Sequence, residues 1–536
     1  MMRNIFKNFI CVAGILIATQ SMYAQAVTER RVLETMKQAT SFMMDKVSYN
    51  GAFVWSYLPD LSRQWGEMEA FRTMGWIQGG TTQMGHLLLD VYNATGDEYY
   101  YEQAARVASA LIWGQLPSGG WNYIIDFAGE GSLKHWYATI GKSGWRLEEF
   151  HHYYGNATFD DAVTTDAANF LLRMYVAKYD PIYKPALDNA IRFVLESQYP
   201  IGGWPQRFPL MYEHVFRGKP DYTSYITLND DVIPENIEFL LNCYQALGLQ
   251  NVKGPIMRAM NLMISLQHGA PYAGWADQYT VDELNPAGAR SYEPRGINAS
   301  TTVRMIRVMT DYYKLTGETK FLARIPEAIA YLESQALPES EIQRFGRPSR
   351  DPEAILVPRF VCPDTGKPYY VHRRGSNYYN GEYFFDHDIS NTVGHYSSAT
   401  WVNIPSLRRM YAEALTWSPA TLKAESPLYS TELIPLPKYF SPMRPLTSGS
   451  LAEDVSALLQ SINREGYWLS PISFSYPYKE YPKEGFVHTG MDYLSTSVGD
   501  EYDTSPYRQE GVTGISTSTY VANMMRFVAY LDSLKR

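Results

Sequence analysis

The feature that most constrains the fold is a repeat. Gln115-Leu-Pro-Ser-Gly-Gly-Trp121 returns as Gln198-Tyr-Pro-Ile-Gly-Gly-Trp204, an offset of 198 − 115 = 83 residues. Two amphipathic stretches precede each copy. Residues 84–92 and 100–113 flank Ala94-Thr-Gly-Asp97, and residues 168–179 and 183–197 flank Asp180-Pro181. Apolar side chains at Phe170, Leu171, Met174 and Tyr175, then at Ile191, Val194 and Leu195, follow helical i, i+3, i+4 spacing. Gly and Pro after each second helix stop it and start a turn. A third run, 302–314 and 321–335, ends at Leu337-Pro338 without the Gly-Gly-Trp. One helical hairpin leaves apolar surface uncovered, whereas several in a ring bury it, so the repeat predicts an all-α (α/α) toroid. Strand-like runs are short (225–228, 369–372) and do not alternate with helices, which disfavours a parallel sheet.

Residues 339–400, rich in Pro, Arg, Tyr and Gly, read as long loops over the toroid mouth, and 340–536 as a loop-rich part. Helices are expected again at 404–416, 451–462 and 517–534, with 467–507 irregular. No flexible linker interrupts the chain, so 27–536 reads as a single domain. Ahead of it, Arg3 and Lys7, the apolar run 9–18 and Ala24-Gln25-Ala26 read as a signal peptide over 1–26, predicting export to the periplasm or beyond. That run is shorter than the ~20 residues a membrane span needs, and no second one follows. A soluble monomer is expected. Beyond the signal only Cys243 and Cys362 remain, enough for at most one disulfide and too few for a cysteine zinc site.

A net charge of −9 argues against a nucleic-acid partner. The 43 tyrosines supply flat apolar faces with a polar edge, suited to sugar rings as well as to a core. Three segments concentrate polar groups beside helices: 157–165, with Asp160 and Asp161; 225–233, with Asn229, Asp230 and Asp231; and 275–294, with Trp275, Gln278, Arg290 and Glu293. Asp, Asn and Thr cap helix starts, but a cap needs only one such residue. Calcium takes oxygen ligands from several carboxylates and carbonyls, and two acidic clusters on successive inner helices would meet at one end of a toroid.

These segments resemble the family 10 pectate lyases. Thr158-Phe-Asp-Asp-Ala-Val-Thr-Thr165 is similar to the family's T-F-D-N-G-A-T-T, and Ile226-Thr-Leu-Asn-Asp-Asp231 to I-T-F-N-D-D. Residues 275–279 and 289–293 are similar to W-x-x-Q-Y-D and A-R-x-Y-E, and 198–206 to Q-Y-P-x-G-G-W-P-Q. The chain departs from those patterns at Asp161, Ala162, Thr280 and Arg295-Gly296. The resemblance implies calcium-assisted β-elimination on polygalacturonate or a related acidic pectic polymer. It assigns the base to Arg290, calcium to Asp160 and Asp230, and substrate contacts to Asn229, Asp231, Trp275, Gln278 and Arg304. Calcium and neighbouring cations are expected to lower the pKa of the arginine, which is ordinarily always protonated. The rival readings are a glycoside hydrolase using two carboxylates about 5–10 Å apart without metal, and a non-catalytic pectin-binding protein. A terpene cyclase on the same fold does not suit an exported chain. His151-His152 lacks partners for zinc at helical spacing, and Asp386-His387-Asp388 reads as a solvated turn.

Overall fold

Turn residues and amphipathic helices alternate through most of the chain, and the helices they delimit close into an α/α toroid. A computed structural model describes residues 28–141, 148–211, 221–374, 382–390, 392, 397–472, 492–493 and 512–535. The expected signal peptide, and most of the expected irregular stretch 467–507, lie outside the described residues. The helices are α1 (Glu29–Phe42), α2 (Thr82–Thr95), α3 (Glu98–Gly114), α4 (Glu130–Thr139), α5 (Val163–Lys178), α6 (Lys184–Ser197), α7 (Val232–Leu247) and α8 (Lys253–Ser265). They continue as α9 (Ala299–Thr316), α10 (Ile325–Ser334), α11 (Glu339–Phe345), α12 (Ile404–Ala414), α13 (Pro419–Glu425), α14 (Leu451–Ser461) and α15 (Thr517–Leu534).

Hairpins pair α2 with α3, α5 with α6, α7 with α8, α9 with α10 and α14 with α15. Helices α15, α2, α5 and α7 pack side by side as the inner ring. The turn Pro427–Tyr429 touches both α7 and α9 and bridges the ring there. No described helix is long and apolar enough to cross a membrane. One contiguous apolar cluster runs from Val32 to Leu531. The last helix joins the first across that core, where Thr40 and Tyr520 share a 2.7 Å hydrogen bond.

The repeated turn is a clamp. Gln115 Nε2 donates to the carbonyl of Gly119 within its own turn (2.8 Å) and to that of Ala186 on the next outer helix (2.9 Å). Gln198 does the same to Gly202 (3.0 Å) and Pro255 (3.0 Å). Trp121 and Trp204 are fully buried, and each indole donates to a carbonyl ten residues upstream, Leu111 and Val194, at 2.8 Å. A third clamp is Gln267 to Trp275, while the third helical run expected at 302–314 and 321–335 is the α9–α10 hairpin. Gln267 bonds Ala273 (2.9 Å) and Arg324 (3.1 Å), and the Trp275 indole bonds Met263 (2.8 Å). Its sequence signal is reduced to Gln, Gly and Trp, because Ala273 replaces the first glycine. Trp275, expected at the substrate, is therefore buried in the core as the equivalent of Trp121 and Trp204.

Each clamp also lies across the starts of two neighbouring inner helices. The carbonyl of Trp121 accepts from Thr158 (2.8 Å), that of Trp204 from Thr227 (3.1 Å) and that of Trp275 from Asn298 (2.9 Å). Two residues further on, Gln206 and Asp277 accept from Phe159 (2.9 Å) and Leu228 (2.7 Å). Helix starts and the segments after the tryptophans thus share one end of the ring, its mouth.

The expectation of bare loops over the mouth is corrected within the described residues. Ile355–Pro358 pairs with Ala399–Val402. Phe360–Val361 joins Ile297–Asn298 on one side and Pro368–Arg374 on the other, and Pro368–Arg374 pairs in turn with Glu382–Asp386. β-branched and aromatic residues outweigh the Pro and Gly between them, and the strand leading into α9 supplies the edge on which the sheet builds.

Gly202 sits at φ +118°, and a Cβ there would lie 2.6 Å from the backbone of Arg258. Gly202→Ala should lower stability by about 1–3 kcal/mol, the cost of a strained backbone residue, read as a fall in melting temperature. An unchanged melting temperature would show that the turn yields.

Candidate functional site

Two motifs open inner helices by the same unusual route. Thr158 to Val163 and Thr227 to Val232 share their backbone course, offset by 227 − 158 = 69 residues. In each, two successive residues take left-handed backbone before the helix begins: Asp161 (φ +50°) and Ala162 (φ +58°), then Asp230 (φ +51°) and Asp231 (φ +57°). Such residues cost about 1–2 kcal/mol each. This structure keeps two pairs of them at its mouth, and Ala162 stands where glycine would be easiest. The widened turn places Asp160, Asp161 and Asp230 against one another.

Arg290 sits at the centre of this end, 3% exposed. Its loop is held by Glu293, whose backbone N–H donates to the Arg290 carbonyl (2.9 Å) and whose Oε2 accepts from the Arg290 backbone (3.0 Å). The guanidinium is shared three ways. Nε donates to Glu149 Oε2 (3.0 Å), Nη1 to Glu293 Oε1 (3.2 Å) and Nη2 to Asp160 Oδ2 (2.8 Å). Glu148 braces the same loop by accepting from the Ser291 N–H (2.8 Å). Burial alone would loosen the arginine's proton. Glu149, Tyr222, Glu293 and Asp160 more than reverse that, so its pKa is driven well up. The neighbours found are carboxylates, not the cations expected to lower it.

The carboxylates are unequal. For Asp160, burial favours protonation, but Arg290 and the Tyr123 hydroxyl (2.5 Å), helped by the neighbouring polar side chains of Gln206 and Asp230, prevail, and its pKa falls. Burial and the charges of Asp160 and Asp161 push Asp230 well up. Burial first, then Asp160 and Glu149, raises Asp161 to about 7. Burial raises Glu149 to about 7, because one guanidinium divided among three acids gives back less than desolvation removes. Glu67 is raised well above its usual range by burial and by the charges of Asp161, Glu149 and Asp160. With Glu293, six acids thus crowd one arginine, and the buried Asp160 Oδ1 has no hydrogen-bond partner. An all-oxygen, acid-rich pocket with a spare carboxylate oxygen fits a hard divalent cation. Among the described residues no three His, Cys, Asp or Glu side chains form a ready-made ligand set, so further oxygens must come from water or a ligand.

The other expected residues separate into two groups. Asn229 and Gln278 join the cluster: the Asn229 amide donates to Asp230 (2.6 Å), and the buried Gln278 amide to Asn229 (3.4 Å). Asp231 points elsewhere and pairs with Arg304 Nη1 (3.0 Å), whose Nη2 bonds the Leu228 carbonyl (3.2 Å). Arg307 is exposed, and Arg295 pairs with Asp364 (2.5 Å). Asp386-His387-Asp388 is an exposed bend, as expected, in which the Asp388 N–H donates to Asp386 Oδ1 (2.8 Å), and Asp386 also bonds the buried His372 (2.8 Å). Glu67, Glu149, Tyr123, Tyr222 and Arg207 were missed. Tyr123 was findable, since it follows Trp121 by two residues as Gln206 follows Trp204 and Asp277 follows Trp275. Glu149 carried no such signal.

Residues 134–380 match the model of the pectic acid lyase family, a stretch that contains Asp160, Asp230 and Arg290. No curated protein gives a match. Among solved structures, the family 10 polysaccharide lyase from Cellvibrio cellulosa is 15% identical, covering 62% of this chain and 97% of its own, with a TM-score of 0.41. A mutant of that lyase in complex with trigalacturonic acid is 15% identical over 63% of this chain and 99% of its own, with a TM-score of 0.40. A GH76 α-mannanase from Bacteroides thetaiotaomicron is 9% identical over 94% of this chain and 97% of its own, with a TM-score of 0.38. The chain resembles the family 10 polysaccharide lyases.

Carboxyls whose folded pKa exceeds the unfolded one stabilise at low pH and lose that contribution as pH climbs through the folded value. For Glu149 the window is from 4.5 to about 7. Asp160, with a lowered pKa, acts below 3.8, outside that window. In EDTA, melting temperature should fall as pH rises across the window, and Glu149→Gln should flatten the slope. An equally steep slope in Glu149→Gln would show that the cluster does not titrate this way.

Proposed function

We propose that the protein is a pectate lyase that breaks polygalacturonate by β-elimination at the Asp160–Asp230–Arg290 cluster. The observation that carries the reading is the placement of Arg290. Three motifs distant in sequence bring an arginine, two aspartates from neighbouring helix starts and an unpaired carboxylate oxygen to one end of the ring. The family match over 134–380 supports it.

The substrate's uronate carboxylate must enter a pocket with excess negative charge. Asp160 and Asp230 would hold a calcium ion, with Asn229 and Gln278 fixing the Asp230 side. When bound, calcium would neutralise the uronate and stabilise charge that develops on its carboxylate after the C5 proton leaves. Arg290, once it has given up a guanidinium proton to solvent hydroxide, takes the C5 proton. Three acids hold its proton in the resting state, and a cation held by Asp160 would draw charge away from Nη2 and weaken that hold. Glu149 and Glu293 keep the guanidinium plane fixed meanwhile. The C4–O bond then breaks, its electron pair leaving with O4, which gains a proton from solvent, and the C4=C5 bond of the unsaturated sugar end forms. A base that resists deprotonation this strongly should work best at alkaline pH.

A glycoside hydrolase is the second reading. Glu149 and Asp161, both raised to about 7, suit proton donors near neutrality. The two readings part on chelation and product. With polygalacturonate, ultraviolet absorbance of the new C=C bond should rise and should stop on adding EDTA. Reducing ends appearing without absorbance, indifferent to EDTA, would identify the hydrolase.

Asp160→Ala and Asp230→Ala should each raise the calcium concentration needed for half-maximal rate. Arg290→Lys should cost ~10²–10⁴-fold in turnover, the usual contribution of a general base. A lysine variant keeping a tenth of the rate would place the base elsewhere.

A further inference from the structure

Among the described residues, Arg207 is a strongly buried cation at the mouth with no part in the proposed β-elimination. It lies on the short strand Arg207–Phe208, paired with Ala157–Thr158, directly beside the turn that carries Asp160. It is 2% exposed, as deep as Asp160 (2%) and Arg290 (3%). Burying a guanidinium without a counter-ion is costly. Yet no carboxylate among the described residues pairs with Arg207, although six lie in the adjoining cluster. Its surroundings are aromatic and neutral. The guanidinium stacks over Tyr123 (5.1 Å) and Tyr154 (4.8 Å), with Tyr137 and Tyr222 close by.

The orientation is fixed from one side only. Nη1 donates to Asn122 Oδ1 (3.3 Å) and to the backbone carbonyl and Oδ1 of Asn156 (3.3 and 3.5 Å), while Nη2 is buried and makes no hydrogen bond. A planar fork locked on one nitrogen, with the other left open, is half of a bidentate anion site. Tyr123 connects the two arginines. Its ring carries Arg207 and its hydroxyl bonds Asp160, which in turn bonds Arg290. Tyr222 lies against both guanidinium groups.

Resting on the reading of an acidic polysaccharide as substrate, we propose that Arg207 is a second carboxylate-binding site, which takes the uronate carboxylate of a sugar next to the one held at Arg290. It is distinct from the cation site because it holds its anion directly. It would make the protein select acid over esterified sugars even where no metal is shared. The unsatisfied Nη2 and the missing counter-ion are then one fact, since the charge that completes the site arrives with the ligand.

The test uses D-galacturonic acid, which has a carboxylate but no bond to cleave, and its methyl ester. Both are titrated into the calcium-loaded protein by NMR. The wild type should prefer the acid. Arg207→Gln should weaken the acid by ~10–10²-fold, the range for losing a charged hydrogen bond in a buried site, and should leave the ester within about threefold, close to the contribution of a neutral contact. A role in packing alone would shift the melting temperature and weaken both sugars alike, leaving the acid-to-ester ratio unchanged, and that result would overturn the proposal. If Arg207→Gln fails to fold, Arg207→Lys replaces it. A point charge without the fork should cut the ratio to an intermediate value, and an unchanged ratio in the folded lysine variant likewise overturns the site. A wild type indifferent to the carboxylate would instead overturn the substrate reading, and this inference with it. The two failures therefore show in different proteins.

Discussion

The hydrogen bond from a buried tryptophan indole to the carbonyl ten residues upstream holds both the ring and its mouth in place. Trp121 and Trp204 each make it, and Trp275 makes the equivalent bond twelve residues back. An indole N–H in a dry core must be satisfied, so the partner fixes where the chain leaves each outer helix. The glutamine at the start of the turn then ties that exit to the next hairpin. Because each tryptophan carbonyl bonds the next inner helix start and the residue two further on bonds the preceding one, the same clamp that closes the ring delivers Tyr123, Gln206 and Asp277 to the mouth. Packing and site are therefore built from one motif.

At the mouth the ruling constraint is charge. Glu67, Glu149, Asp160, Asp161 and Asp230 share a small, poorly solvated volume with Arg290. The structure answers partly by raising the pKa values of Glu67, Glu149, Asp161 and Asp230, and partly by splitting one guanidinium among Glu149, Glu293 and Asp160. Neither answer uses Asp160 Oδ1. Such a cluster is stable at low pH and strained at neutral pH, the condition under which a cation or a polyanion-bound cation gains most by entering. Arg207, a few ångströms behind Tyr123, has the opposite imbalance: a positive charge with no partner. An acid-rich pocket beside an unpaired arginine is the pattern expected where cation and carboxylate are bound together.

The left-handed pairs at Asp161-Ala162 and Asp230-Asp231 show what this arrangement costs locally. A helix could begin at Val163 or Val232 with a single capping residue and no positive φ. Instead the chain takes two strained residues at each start, which swing acidic side chains toward each other. Ala162 in that conformation, where a glycine would relieve it, makes the first turn the more strained of the two and a natural site for a stabilising Ala162→Gly change.

Periodicity and the Gln-to-Trp spacing were enough to read the helical hairpins, their order and the end of the ring at which polar motifs gather, because those features depend on nearest neighbours in sequence. Asp160, Asp230 and Arg290 were legible for a related reason: each lies in a short motif of distinctive residue types. Trp275 misled, since an aromatic beside polar residues looks the same whether it faces a sugar or a core, and only its indole bond to Met263 distinguishes the two. The sheet over the mouth was hidden because its pairing edge, Ile297–Asn298, lies some sixty residues away in sequence. Glu149 and Arg207 were invisible for the same physical reason. Their significance is electrostatic, set by which charges surround them after folding, and no local pattern records that Glu149 meets Arg290 across 141 residues or that Arg207 meets no carboxylate.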